Sequence, residues 1–162
     1  LKLIGIKPVS DSEIHSEEEI KVIIEESKNS GVLEKDETEL LNNVFDFGDL
    51  QVKQIMVPRG KIFAIDIDKP REELINLVLE EEYSRIPVYK GDINNIIGVL
   101  YLKDLLRITA KQLNTHIREV IKPPYKVVMN KLIDDLLREF QSNRIHLAVV
   151  VNEFGETEGI VT

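Results

Sequence analysis

The side chains able to do chemistry are few and scattered. His15, His116 and His146 stand far apart, and none is four residues from another, the spacing that puts two imidazoles on one helical face for zinc. Cysteine is absent, which removes disulfides, thiolate metal sites and a cysteine nucleophile together. No GxSxG elbow, P-loop, GxGxxG turn or HExxH helix occurs. Asp66 and Asp68 look like a paired carboxylate, but they fall where a strand gives way to a helix, with Asp68 beside the cap. Such a pair holds Mg2+ only weakly, leaving most ligands to water. The expectation is a protein that is not an enzyme. What remains is a set of polar residues at the ends of apolar runs, chiefly Arg85, Tyr101, Asp104, His146 and Thr162. Arg85 suits a phosphate group and equally an ion pair with one of Glu80–Glu82. Asp104 lies where it helps cap a short helix, and His146 reads as a partly buried strand residue.

The elements that must position these residues follow from apolar spacing. The chain has 162 residues, 43% hydrophobic, with 21 Ile, 18 Leu, 16 Val, three Ala and no Trp. That is a composition of buried strands mixed with helices, enough for one good core or two small ones. The net charge of −8 sits wholly in residues 1–51, with five Lys against thirteen Asp and Glu; the remainder carries sixteen of each sign. An acidic chain without an arginine-rich stripe does not suit nucleic acid as a partner. No run approaches the roughly 20 apolar residues of a membrane span, and no signal peptide is visible. The first residue is Leu1 rather than Met, as expected of a piece of a longer protein.

Residues 1–51 predict two short acidic helices. Ser16 with Glu19 forms a capping box, Ile20, Ile23 and Ile24 share one face, and Gly31 closes the helix. Leu40, Leu41, Val44 and Phe45 repeat the spacing in a second helix ending near Gly48. From Val52 the chain repeats itself. The first unit runs VKQIMVPR (52–59), a strand-like KIFAIDI (61–67), a helix opened by Asp68 and Pro70 with Leu74, Leu77 and Val78 on one side, RIPVYK (85–90), a loop GDINN, IIGVLY (96–101) and a short helix LKDLL (102–106). The second runs HIREVIKPP (116–124), YKVVM (125–129), a helix from Asn130 with Leu132, Ile133, Leu136, Leu137 and Phe140 inward, HLAVVV (146–151), a turn, and EGIVT (158–162). Arg85 to Gly98 and His146 to Gly159 are the same 13 residues apart, which pairs Pro87 with Ala148 and Tyr101 with Thr162, and the two openings pair Pro58 with Pro123. The fold class predicted is α/β (α+β), with two pseudo-symmetric β-α-β-β-α units stacking their sheets on one shared core.

A β-α-β-β-α repeat with an MxP opening, an apolar RIPV strand and a glycine-led exit resembles the CBS domain, which occurs in tandem pairs. IMVPR (55–59), YSRIPVYKGDINNIIGVLYLKDLL (83–106) and HLAVVVNEFGETEGIVT (146–162), with the acidic helices before them, are more specifically similar to the CorC/HlyC group of hemolysin-like membrane proteins linked to magnesium and cobalt transport or efflux. The resemblance implies a helical linker at 1–51 following a transmembrane domain, with LKLIGIKP (1–8) at the handover. It further implies CBS repeat 1 at 52–112 and a C-terminally incomplete CBS repeat 2 at 113–162. Such pairs dimerise as flat discs on the cytoplasmic side of the membrane and bind AMP, ADP or ATP in clefts between repeats, with Mg2+ arriving on the triphosphate.

Carried onto this chain, the resemblance makes Asp104 the ribose acceptor and puts Thr162 at the hydroxyl position beside phosphate; Tyr101 stands at that position in the first repeat, where the family has Thr or Ser and the larger ring lines or narrows the slot instead. Arg85 and His146 stand at matching strand starts. Met56, Pro58, Ile86 and Pro87, with Ile121, Pro123 and Ala148 of the second repeat, become adenine walls. Two rivals stand beside this reading: a structural dimerisation module with an empty cleft, and the sensor half of a soluble metabolic enzyme.

Overall fold

The computed structural model describes residues 15–111 and 115–162; the expected handover at 1–8 and the expected repeat boundary at 112/113 lie outside them. The chain divides into two compact units, Leu1–Asp49 and Leu50–Thr162.

The first unit is a helical hairpin of α1 (Glu17–Asn29) and α2 (Lys35–Asp49). Ser16 Oγ accepts from the Glu19 amide at 3.3 Å, and Glu19 Oε2 accepts from the Ser16 amide at 3.2 Å, so the predicted capping box is formed. Gly31 takes φ +78° just past the helix end, and the Val32 amide folds back onto the Ser27 carbonyl at 2.9 Å. Lys21 joins the two helices, pairing with Glu17 at 2.8 Å and Asp46 at 3.6 Å. The expected shared face is only partly covered within the unit: Ile24 is buried, whereas Ile20, Ile23, Leu40 and Val44 are exposed.

The second unit contains α3 (Val52–Ile55), β1 (Val57–Pro58), β2 (Ile65–Asp66), α4 (Arg71–Glu80), β3 (Arg85–Lys90), β4 (Asp92–Tyr101), α5 (Leu102–Ala110), β5 (Tyr125–Val128), α6 (Ile133–Asn143), β6 (Ala148–Val151) and β7 (Thr157–Val161). They form a three-stranded sheet, β2-β3-β4, and a four-stranded sheet, β1-β7-β6-β5. In each, one parallel crossover through a helix (β2 to β3, β5 to β6) is followed by an antiparallel hairpin. The repeats exchange their opening segments. β1 of the first repeat pairs with β7 of the second, Pro58 opposite Gly159. Reciprocally, Lys122 and Val99 exchange backbone bonds of 2.8 and 2.9 Å on the first repeat's sheet.

That exchange explains the two motif glycines. A Cβ on Gly98 would stand 2.9 Å from Ile121 Cδ1, and one on Gly159 would stand 2.5 Å from the Val57 carbonyl oxygen and 2.9 Å from Met56 Sδ. Only glycine admits the partner repeat's opening segment so close.

Three apolar clusters replace the single core expected. Ile86, Val88 and Leu100 meet Leu74, Val78, Leu105 and Ile108 in one; Val127, Ala148 and Val150 meet Val52, Ile133 and Leu136 in another. The third lies where the sheets stack: Ile96, Val99, Leu147, Val149 and Val151. Alternation along β6 sends Ala148 and Val150 to one cluster and Val149 and Val151 to the other, which is why HLAVVV reads as an unbroken apolar run.

Local differences have local causes. KIFAIDI makes only the two-residue ladder of β2: Lys61 ends a 3-10 turn (Arg59–Lys61), and residues 62–64 run as irregular chain before Ile65. GDINN is mostly strand: the chain turns at Gly91, φ +75°, and β4 begins at Asp92. Pro70, not Asp68, occupies the N-cap of α4, while Asp66 Oδ1 accepts from the Asp68 amide at 3.1 Å, so the carboxylate pair is spent on the turn. α6 begins at Ile133, leaving Leu132 and Leu137 exposed.

Candidate functional site

The end of β4, the start of α5 and the segment before β6 converge on a cleft of about 520 Å³, lined by Ser84, Arg85, Tyr101, Leu102, Lys103 and Leu106 of the first repeat with Lys122, Arg144 and His146 of the second. Its pseudo-symmetric counterpart is smaller, about 220 Å³, and lined by Val57, Lys61, Ile62, Phe63, Tyr83, Arg85 and Pro87 with Leu147, Ile160 and Thr162. The offset that pairs Arg85 with His146 also pairs Tyr83 with Arg144 and Tyr101 with Thr162, so one position supplies opposite chemistry on the two sides. Arg85 lines both clefts.

In the larger cleft the Tyr101 ring is a platform for cations. Lys122 Nζ stands 4.3 Å from its centroid, and the Arg85 guanidinium and Lys103 Nζ each stand 5.7 Å away. Arg85 forms no ion pair with Glu80–Glu82; its Nε is buried with no hydrogen-bond partner. Asp104 sits in the first turn of α5 without capping it, its carboxylate only 16% exposed between Lys122 at 3.9 Å and Arg107 at 3.7 Å. His146 precedes β6 and is exposed rather than partly buried in a strand.

The smaller cleft is apolar. Phe63 and Tyr83 stack with centroids 5.7 Å apart, and Ile160 and the buried Pro87 close the cleft beside Thr162.

Of the residues singled out from sequence, Arg85, Tyr101 and His146 thus share the larger cleft, and Arg85, Pro87 and Thr162 the smaller. Ile86 and Ala148 are core residues at 0% exposure and present nothing to a ligand. Met56 and Ile121 pack over Gly159 and Gly98, while Pro58 and Pro123 are exposed outside both clefts. Lys122, Arg144, Phe63 and Tyr83 were missed. The repeat carried a signal for three of them: the offset of Arg85 and His146 sets Tyr83 against Arg144, and the Pro58–Pro123 pairing sets Val57 against Lys122. Among the described residues no group of three or more His, Asp or Glu is placed to hold a metal.

Away from the clefts, Glu139 ties α6 to β5. Its carboxylate accepts from the Tyr125 hydroxyl at 2.8 Å and pairs with Lys131 Nζ at 2.5 Å. The Lys131 bond holds the Glu139 carboxyl below the ordinary carboxylate range, and the same bond raises the Lys131 ammonium.

Comparison with known proteins agrees with this architecture. The sequence matches the CBS domain family over residues 52–111 and 117–162. It is 36% identical to the UPF0053 protein YhdP of Bacillus subtilis (strain 168), covering 99% of this chain and 37% of that protein. The chain therefore spans a little over a third of the curated relative's length. Among solved structures, the CBS domain of a bacterial CNNM/CorC family Mg2+ transporter superposes with a TM-score of 0.80 at 34% identity over 92% of both chains. A structure of such a CBS domain in complex with ATP gives 0.72 at 36% identity, covering 78% of this chain and 91% of the other. A CBS-domain pair with bound AMP from Klebsiella pneumoniae gives 0.62 at 26% identity over 70% and 91%. With two exchanged β-α-β-β repeats and these relatives, the chain belongs to the CBS domain family, as a tandem pair of the CNNM/CorC Mg2+ transporter kind.

Proposed function

We propose that this tandem pair is a regulatory module that binds an adenine nucleotide between its repeats and controls an ion-transport domain elsewhere in a longer membrane protein. The observation that carries the reading is Arg85. A buried, unpartnered guanidinium nitrogen shared by an apolar cleft and a cationic one calls for an anion attached to a flat apolar group. The relatives with ATP and AMP bound support adenine nucleotide as that ligand. The base belongs against Phe63, Tyr83, Pro87 and Ile160, with Thr162 at the sugar-phosphate end. Mg2+ would arrive on a triphosphate rather than on protein ligands.

On this reading residues 1–51 are the helical linker, 52–112 and 113–162 the two repeats, and the module works as a homodimer on the cytoplasmic side of the membrane. Exposed Leu106 and Leu137 on the helices of the pair, and the exposed apolar residues of the α1–α2 hairpin, favour a role in joining two chains as well.

A thermal melt tests the nucleotide. A ligand that binds only the folded state stabilises it by about 2.7 kcal/mol at a hundredfold excess over Kd, about 5–10 °C for a module of this size. AMP, ADP and ATP, the last with and without Mg2+, are expected to raise the melt and GTP to raise it less. No shift with any adenine nucleotide at millimolar concentration leaves the dimerisation scaffold as the function.

A further inference from the structure

We propose that Phe154 is an anchor by which one copy of this chain docks on another, seated in a basic-rimmed cavity at the start of α4. Phe154 stands at the tip of the β6–β7 hairpin and is 87% exposed, the most exposed large apolar side chain among the described residues. On a loose loop that would need no explanation, but this loop is pinned. Asn152 Oδ1 accepts from the Phe154 and Glu156 amides, both at 3.0 Å, and its Nδ2 donates to Glu156 Oε2 at 2.9 Å and Glu158 Oε1 at 3.1 Å. Gly155 turns the chain at φ +82°, and the buried Thr157 hydroxyl donates to the Asn94 carbonyl of the first repeat at 3.2 Å. The ring is thus presented already ordered, which lowers the cost of binding. The fold does not require it there. The offset that pairs Arg85 with His146 pairs Phe154 with Ile93, and Ile93 is half-buried in β4.

The seat is a cavity of about 310 Å³ between the turn before α4 and the segment before β5, floored by Ile67 with Leu74 and Ile117 behind it. That is the small end of the range for ligand pockets and suits one aromatic ring. Its rim carries Lys69, Arg71 and Arg118 against Asp68 and Glu119, an excess of positive charge. Phe154 is flanked by Glu153 and Glu156, so an acidic loop meets a basic rim. Glu153 and Arg118 are both exposed and are the charges that docking brings together. Phe154 does not line this cavity in its own chain. Both halves of the contact are carried by one molecule, which makes a second copy the partner. Because anchor and seat are different patches, the contact either closes by reciprocal exchange or runs on head to tail. Neither patch shares a residue with the two clefts, or with Leu106 and Leu137, so it stands apart from the nucleotide and helix-face readings.

The test is sedimentation of the intact chain and its variants from micromolar to millimolar concentration. Phe154 belongs to no apolar cluster, so Phe154→Ser is expected to keep the fold. It should weaken self-association by about thirtyfold or more, the worth of an aromatic anchor at an interface. Glu153→Lys and Arg118→Glu should each weaken it by about fivefold. Both changes in one chain exchange the charges across the contact and should restore the intact affinity to within about twofold. Association that Phe154→Ser leaves intact overturns the proposal, as does a combined variant no better than the single ones. Loss in Phe154→Ser with indifference to Arg118→Glu puts the ring on some other surface and overturns the cavity as its seat. Association that every variant keeps belongs to another interface, the helix faces included, and if nothing beyond it is seen the proposal fails. A nucleotide-induced rise in the melt should be the same in Phe154→Ser as in the intact chain, so the two readings stand or fall separately.

Discussion

The two clefts of the CBS pair are built from equivalent positions and do opposite things. Where one cleft has Tyr83 and Thr162, the other has Arg144 and Tyr101 at the equivalent positions, so a pseudo-symmetric frame carries an apolar pocket on one side and a cationic one on the other. Backbone symmetry constrains what the fold must keep, which is the pair of glycines under the exchanged segments. It leaves exposed cleft side chains such as Tyr83, Lys122 and Arg144 free to diverge, because they belong to no apolar cluster. A repeat therefore predicts the location of two sites without predicting that they bind the same thing.

The largest effect expected bears on what the two halves share. Gly159→Ala forces a Cβ against a backbone carbonyl at 2.5 Å, whereas Gly98→Ala meets Ile121 Cδ1 at 2.9 Å and the Lys122 backbone carbonyl only at 3.0 Å. Overpacking of this kind costs about 1–3 kcal/mol, occasionally more. Gly159→Ala is placed at or above the top of that range and Gly98→Ala lower within it. Urea melts of the two variants check the order, and equal losses would mean that the halves are not asymmetric at their junctions.

Next comes the apolar cleft. Tyr83 is exposed and belongs to no core cluster, so Tyr83→Ala should leave the unliganded melt within about 0.5 kcal/mol. It should weaken AMP and ATP alike by about tenfold to a hundredfold, the worth of stacking one base. A loss confined to ATP would move the base to the other cleft.

A smaller effect is expected at Glu139, outside both clefts. Its carboxyl is lowered by Lys131, so the stability it contributes is present above the ordinary carboxylate pKa and is lost as pH falls through the lowered value. Lys131 is raised, so its share is present below the ordinary lysine pKa and lost as pH rises through the raised one. For a pair this accessible to water the worth is about 1 kcal/mol. Glu139→Gln should therefore melt below the wild type at pH 7, and the gap should close as the pH drops below about 4. A gap that persists in acid would assign it to shape rather than charge.

The smallest expected effect is the most informative about the clefts. Asp104→Asn should leave ATP affinity unchanged or slightly improved, since it removes negative charge beside Lys122. A ribose acceptor lost there would instead cost about tenfold to a hundredfold, which titration separates without ambiguity.

Much of this fold was legible because its signals are local. The Ser16–Glu19 capping box, the six residues of β3 and the 13-residue spacing from strand start to glycine depend on neighbours along the chain, and each appears in the structure. The exchange of opening segments was not legible, because Pro58 and Gly159 meet across a hundred positions of sequence and nothing in either residue names the other. Apolar character placed Ile86 and Ala148 among the adenine walls, but pleat alternation turned both into the core, at 0% exposure. Asp104 was visible as an acid near a helix start; which cation it answers depended on Lys122, brought there only by the second repeat. Sequence by itself determined the repeat, its elements and the family, since periodicity and turn chemistry act over a few residues. Tertiary structure alone decided which side chains share a cleft, because that depends on how two sheets stack and which strands they trade.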